Sequence, residues 1–259
     1  MKRKTKEIKR IARGNLLGNY LPLIRAFVFC SLITSLVETP FSMMTNDILL
    51  SPTNIIYYVA IILITIASVV LTVGQYCLHL SLARTGEIHL SHVFYPLKHD
   101  ANRLIIAEFV VFILQMLCLS PIIGAGVIVL FSKNADLYWI ALALAIIGCI
   151  LTLWASVCFG LMYCVLIDQY EASVREALKS TLKLIKGHKM RFLHMQLSFF
   201  GMYFLVLLSL GIGILWVQPY VLQTTSIFYL DVKGELDEIL EKRRKEEPTP
   251  EPVVLDIYA

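Results

Sequence analysis

FLHMQLSFFGMYFLVLLSLGIGILWVQPYVLQTTSIFYL, Phe192 to Leu230, runs for 39 residues without Asp, Glu, Lys or Arg. How it divides decides the fold. As one helix it would be about 58 Å long at 1.5 Å per residue, against a hydrocarbon core of roughly 30 Å. Gly211-Ile212-Gly213 stands near its middle. Two nearby glycines permit a tight reversal. Cut there, the block predicts two short spans, 192–210 and 214–230.

Four further apolar stretches precede it, at about 19–37, 54–82, 104–131 and 137–167. Each has the length that a membrane-crossing helix needs. Charge tests the count. Of the 23 Lys and Arg residues, 7 fall in residues 1–18, 3 in 83–103, 6 in 168–191 and 5 from 231 onward. Only Arg25 and Lys133 lie elsewhere. Cytoplasmic loops carry the excess of Lys and Arg, so these four segments belong on one side, inside. A five-span division would put Lys242-Arg243-Arg244-Lys245 outside, against that rule. The predicted fold class is therefore all-α. It is a polytopic membrane protein with six transmembrane helices, N and C termini cytoplasmic, and amphipathic cytoplasmic surface helices.

Composition agrees. The 259 residues are 58% hydrophobic and 16% charged, with mean hydropathy +0.72. A soluble domain typically has about 25% charged residues. The net charge of +4 is no nucleic-acid footprint, because the cations sit beside apolar segments, where they would face anionic headgroups. The start fits a signal peptide only in part: no small-x-small cleavage site follows, so it reads as retained. The domains expected are a basic cytoplasmic N-terminal helix (1–18), the six-helix membrane domain (19–232), and a charged, partly disordered cytoplasmic tail (233–259).

The 168–191 segment is the best specified of the four. Ser173-Val174-Arg175-Glu176 is a capping-box pattern. Val174, Ala177, Leu178, Thr181, Leu182 and Ile185 then recur at helical spacing, and Gly187 suits the residue just past the end. Arg175, Lys179, Lys183 and Lys186 lie off the stripe and are candidate lipid-headgroup contacts. Lys2 to Arg13 reads as a second basic amphipathic run along the inner surface. Leu90, Val93, Phe94 and Leu97 could form a third, interrupted by Pro96. Tyr76-Cys77 and Tyr163-Cys164, each before such a segment, hint at a duplicated unit. From Lys242 to Pro252 the tail reads as disordered, with Val253 to Tyr258 as a docking peptide or a loose end.

Several pieces carry a family resemblance. Leu197 to Tyr220, followed by Ile227-Phe228-Tyr229, is the most specific. Gly18-Asn19-Tyr20, Leu82-Ala83-Arg84, and Glu176-Ala177-Leu178 leading to Lys186-Gly187-His188-Lys189 add to it. Together they resemble the bacterial integral membrane family called domain of unknown function 975, over roughly residues 8 to 233. Met202 stands where that family usually has Trp, and Asp168-Gln169-Tyr170 replaces its usual turn. The resemblance implies a multi-pass protein of Gram-positive-type bacteria, similar to the membrane domain attached to some glycerophosphodiester phosphodiesterases. It brings no activity and no catalytic residues.

Charges within spans are functional suspects. Arg25 and Glu108 lie at similar depth and form a candidate intramembrane pair. Gln218, Gln223, Thr225 and Ser226 make the last span unusually polar. They serve as glue between helices or as the lining of a cavity. Pro219, in the same span, frees a carbonyl near Leu215. Asp168 and Asp231 read as span ends in contact with water. His79, His89, His92 and His99 cluster near Glu87 and Asp100, but one H-x-x-H is a weak metal signal. The six cysteines all fall in apolar stretches and read as buried hydrophobes. No catalytic constellation, metal site or cofactor site is expected. The function expected is that of a non-enzymatic, lipid-associated or envelope-homeostasis accessory protein of the bacterial cytoplasmic membrane. The alternative is a small transporter or channel with a polar path near the last span. The partners expected are membrane lipids with anionic headgroups, and no nucleic acid; protein partners and self-association stay open.

Overall fold

A computed structural model describes residues 3–42, 52–98, 101–132 and 135–246. Among these, every regular element is helical. In chain order they are α1 (Thr5–Leu16), α2 (Tyr20–Ser42), α3 (Pro52–Thr85), a 3₁₀ turn (Leu90–Phe94), α4 (Tyr95–Lys98), α5 (Ala101–Phe131), α6 (Ala135–Phe159), α7 (Met162–Asp168), α8 (Val174–Ile185), α9 (Lys189–Leu197), α10 (Phe200–Leu208), α11 (Ile214–Lys233) and α12 (Leu236–Glu246). Five helical stretches are long and apolar enough to cross a membrane: Tyr20–Pro40, Asn54–Thr85, Ala101–Phe131, Asp136–Asp168 and Lys189–Leu208. The fourth joins α6 to α7, and the fifth joins α9 to α10.

The long block reverses where its glycines stand. Past α10 the chain turns through Leu210 (φ 53°) and Gly211 (φ 90°), and α11 begins at Ile214. This last helix is not among the five apolar ones. Its 20 residues include Gln218, Gln223, Thr224, Thr225 and Ser226. It sits at the centre instead: Val217 and every residue from Pro219 to Leu230 are buried. The helices packed on it include α1, α2, α3, α8, α10 and α12. A helix walled by protein can be polar, because its neighbours, not lipid, receive its side chains.

The outer surface has the opposite character. Phe131, Trp139, Trp154, Leu207 and Leu210 are exposed on or beside the long helices, as on a surface that lipid would cover. Helices in lipid gain little from apolar burial as such, so close fit holds them together. Gly148 of α6 lies so near α5 that a Cβ there would stand 2.5 Å from Ile122 Cγ1. At Gly74 of α3, a Cβ would collide with the Val93 carbonyl oxygen.

Three expectations for the charged segments change. The stripe of α1 (Ile8, Ala12 and Leu16) is fully buried against protein, chiefly α11, with α3 and α9 beside it. It faces the bundle, not lipid. Among the described residues of 83–103 there is no continuous surface helix: the chain makes one 3₁₀ turn and the single-turn α4, with Val93 and Pro96 buried and Leu90 and Phe94 exposed. The tail is helical through Glu246, so Lys242–Glu246 is ordered as part of α12. Leu236 is buried, with Ile239 and Leu240 packed beside it at i, i+3, i+4 spacing. Asp237 and Glu238 in the first turn and Arg243, Arg244 and Lys245 in the last suit the helix dipole. The remaining tail residues, including Val253 to Tyr258, lie outside the described residues, as do Lys2 and Lys133.

Candidate functional site

The charged segments gather at one end of the bundle and lock it. Asp168 closes α7, with a side chain only 7% exposed. Arg84, at the end of α3, grips it with two parallel bonds of 2.7 Å. Lys233 Nζ at the end of α11 and Tyr229 Oη each donate to Asp168 Oδ2 at 2.7 Å. Arg84 also reaches Glu235 at 3.0 Å. One carboxylate thus ties three helix ends together. Asp231, 3% exposed, pairs with Arg191 of α9 and lies 3.7 Å from Arg3, which also pairs with Asp237. Neither aspartate is a water-facing span end. Both are held by cations from distant segments, because a carboxylate this buried needs its charge matched.

Two arginines cap helix ends by their carbonyls. Arg103 donates to Leu166 O at 2.6 Å and Ala172 O at 2.7 Å, covering the end of α7. Arg243 of α12 donates to the Leu82 and Ala83 carbonyls at the end of α3, and to Asn15 Oδ1 at 2.9 Å. Carbonyls left over at a helix C-terminus attract such donors. These fasteners escape a reading of the sequence. Its only trace of them is that Arg84, Arg103 and Arg191 each stand at a span boundary.

The candidate headgroup contacts form a group. The capping box closes α8 as expected: Ser173 Oγ accepts from Glu176 N at 3.3 Å, and Glu176 Oε2 accepts from Ser173 N at 3.0 Å. The Ser173 backbone amide, and after it the Ser173 hydroxyl, hold the Glu176 carboxyl below its ordinary pKa. Ala177, Thr181 and Ile185 are fully buried in the bundle. Arg175, Lys179, Lys183 and Lys186 are all exposed on the other side. None of the four has an ion-pair or hydrogen-bond partner among the described residues.

The candidate intramembrane groups scatter. Arg25 is exposed on α2, while Glu108 accepts a hydrogen bond from Tyr163 at 3.0 Å, so the two are not brought together. The four polar residues of α11 also part. Gln223, buried, meets buried His79 at 2.8 Å, and Thr225 bonds to its own helix at the Val221 carbonyl. Ser226 is buried. Gln218 lines a cavity of about 320 Å³ between α2, α3 and α11. Ser31, Thr34, Ser68, Thr72 and Gln75 line it too, all neutral and polar.

Tyr76 and Tyr163, proposed as equivalent positions, stack with ring centroids 5.3 Å apart. Cys30, Cys77, Cys158 and Cys164 are buried, Cys118 is half-buried and Cys149 is exposed. The His89 and His92 rings lie 5.5 Å apart, and no group of three metal-ligating side chains occurs among the described residues. His99 and Asp100 lie outside them. The arrangement therefore offers cations and neutral dipoles, with its buried carboxylates already neutralised. That is a chemistry of anion binding and packing.

A family model described as "Protein of unknown function (DUF975)" matches residues 1–235. No curated protein and no solved structure matches the chain.

Proposed function

This chain belongs to the family described as Protein of unknown function (DUF975), and on that premise we propose a six-span membrane protein that acts without catalysis as a lipid-associated accessory of the bacterial envelope. The α11 helix is the sixth span in this reading. At about 30 Å it is long enough, and its polar residues are screened by protein. The basic segments meet at one end, which the charge rule assigns to the cytoplasm. Both termini then lie inside, in the cytoplasmic membrane.

The observation that carries the lipid role is the division of α8. Its buried stripe fixes the helix to the bundle, which leaves Arg175, Lys179, Lys183 and Lys186 exposed with no ion pair or hydrogen bond among the described residues. Each cation near an anionic surface contributes about 1 kcal/mol. Native mass spectrometry from mixed phosphatidylcholine and phosphatidylglycerol nanodiscs tests this. The wild-type protein should retain phosphatidylglycerol in excess of its share, and replacing all four residues by glutamine should reduce that excess. An unchanged excess in the variant would refute the role.

The cavity beside Gln218 supports a second reading, a small transporter for a neutral polar solute. Flux into proteoliposomes that Gln218→Leu abolishes would favour it. Silence across a broad solute panel would remove it.

A further inference from the structure

The inner end also holds a cleft of about 730 Å³ between α1 and α12, floored by the end of α3. Its side chains carry four arginines, Arg3, Arg10, Arg243 and Arg244, against one carboxylate, Glu7. Glu7 is engaged, accepting from the Lys4 amide at 3.3 Å. The arginines divide by role. Arg3 is tied to Asp231 and Asp237, and Arg243 to the Leu82 and Ala83 carbonyls and Asn15. Arg10 and Arg244 are exposed, one on each wall, with no ion pair or hydrogen bond among the described residues. Asn15 also lines the cleft, and its amide Nδ2 is buried with no hydrogen-bond partner among the described residues. Its orientation is set, because Oδ1 accepts from Arg243.

We propose that the cleft between α1 and α12 binds a phosphate-bearing anion. Guanidinium forks match the oxygens of phosphate in pairs, and two uncommitted forks facing one space call for more than a single carboxylate. The volume lies within the usual range of small-ligand sites, with room for a phosphodiester or diphosphate and its substituents. Leu82 and Gly86, at the end of a membrane-crossing helix, line it, so a lipid headgroup and a soluble phosphate compound both have access. The site does not depend on the α8 reading, since its residues stand on other helices. Leu240, Arg243 and Arg244 of its lining stand on α12, beyond the residues that the family model matches.

The full chain in phosphatidylcholine nanodiscs, titrated with inorganic pyrophosphate by calorimetry, tests the soluble source. Nanodiscs containing phosphatidylglycerol, with retained lipid counted by native mass spectrometry, test the headgroup. The variants are Arg10→Ala/Arg244→Ala and, as control, Lys6→Ala/Lys245→Ala, which removes two charges from the same helices outside the cleft. Saturable binding is expected in at least one arm, weakened about tenfold or more by the arginine pair and spared by the lysine pair. Binding in one arm alone identifies the source. No saturable binding in either arm, wild-type affinity in the arginine variant, or equal loss in both variants would overturn the proposal. Because Arg10 and Arg244 are exposed and uncommitted, unfolding temperatures of all three proteins should agree.

Discussion

At the scale of single residues, Asp168 shows how a charge that looks incidental becomes a fastener. Its carboxylate accepts from Arg84, Lys233 and Tyr229, which no local pattern in the sequence connects. A buried pair need not add much net stability over a hydrophobic substitute, but removing one partner strands the others. Asp168→Asn keeps the shape and removes the charge. It should cost about 2–4 kcal/mol, toward the low side of a fully buried pair because Arg84 and Lys233 stay partly exposed. Thermal unfolding in detergent would register this as a clear drop in midpoint, and an unchanged midpoint would show that the cluster holds nothing together. Asp231 has the same character, buried against Arg191. The sequence places both aspartates at span ends, and Asp168 does close the fourth apolar stretch. Water contact does not follow from position, because the cations come from segments 40 and 84 residues away.

At the scale of elements, what is local was readable and what is paired was not. The cap and terminal glycine of α8, and its stripe save for the exposed Leu182, appear in the structure where the sequence puts them, since each depends on neighbours within four residues. The cap makes a pH prediction. Glu176 has a lowered pKa, held first by the Ser173 backbone amide and then by its hydroxyl. A depressed carboxylate contributes stability above its unfolded pKa and loses it as pH falls through the folded one. Glu176 should therefore titrate below an ordinary glutamate by NMR, and Ser173→Ala should move it up toward the ordinary value. Titration at the ordinary value in the wild-type protein would contradict the cap. The α1 helix repeats this design. Glu7 reaches back to the Lys4 amide, and Leu17-Gly18 leaves the helix with the same geometry as Lys186-Gly187 (φ −60°, ψ 123°, then a glycine near φ +83°). The duplication suggested by Tyr76-Cys77 and Tyr163-Cys164 has a closer counterpart here, in two helices that share a cap, a stripe and an exit. Nothing local said that α1 would cover α11, or that α12 would dock at all.

At the scale of the whole molecule, polarity is sorted by burial more than by hydropathy. The most apolar helices face outward, and the most polar long helix stands at the centre. A hydropathy reading therefore finds five candidate spans, and the proposed sixth rests on the charge count. Apolar length predicted the outward helices because lipid imposes one rule on all of them. The central helix answers to its protein neighbours, which the sequence does not display. The account stands on that sixth crossing, and substituted-cysteine labelling tests it most directly. In a chain whose six native cysteines are replaced by alanine, a cysteine is placed at Ile212 or at Glu241, and intact cells are treated with a membrane-impermeant maleimide. The account predicts labelling at 212 from outside, and labelling at 241 only after the membrane is opened. Labelling at 241 from outside, in intact cells, would contradict it.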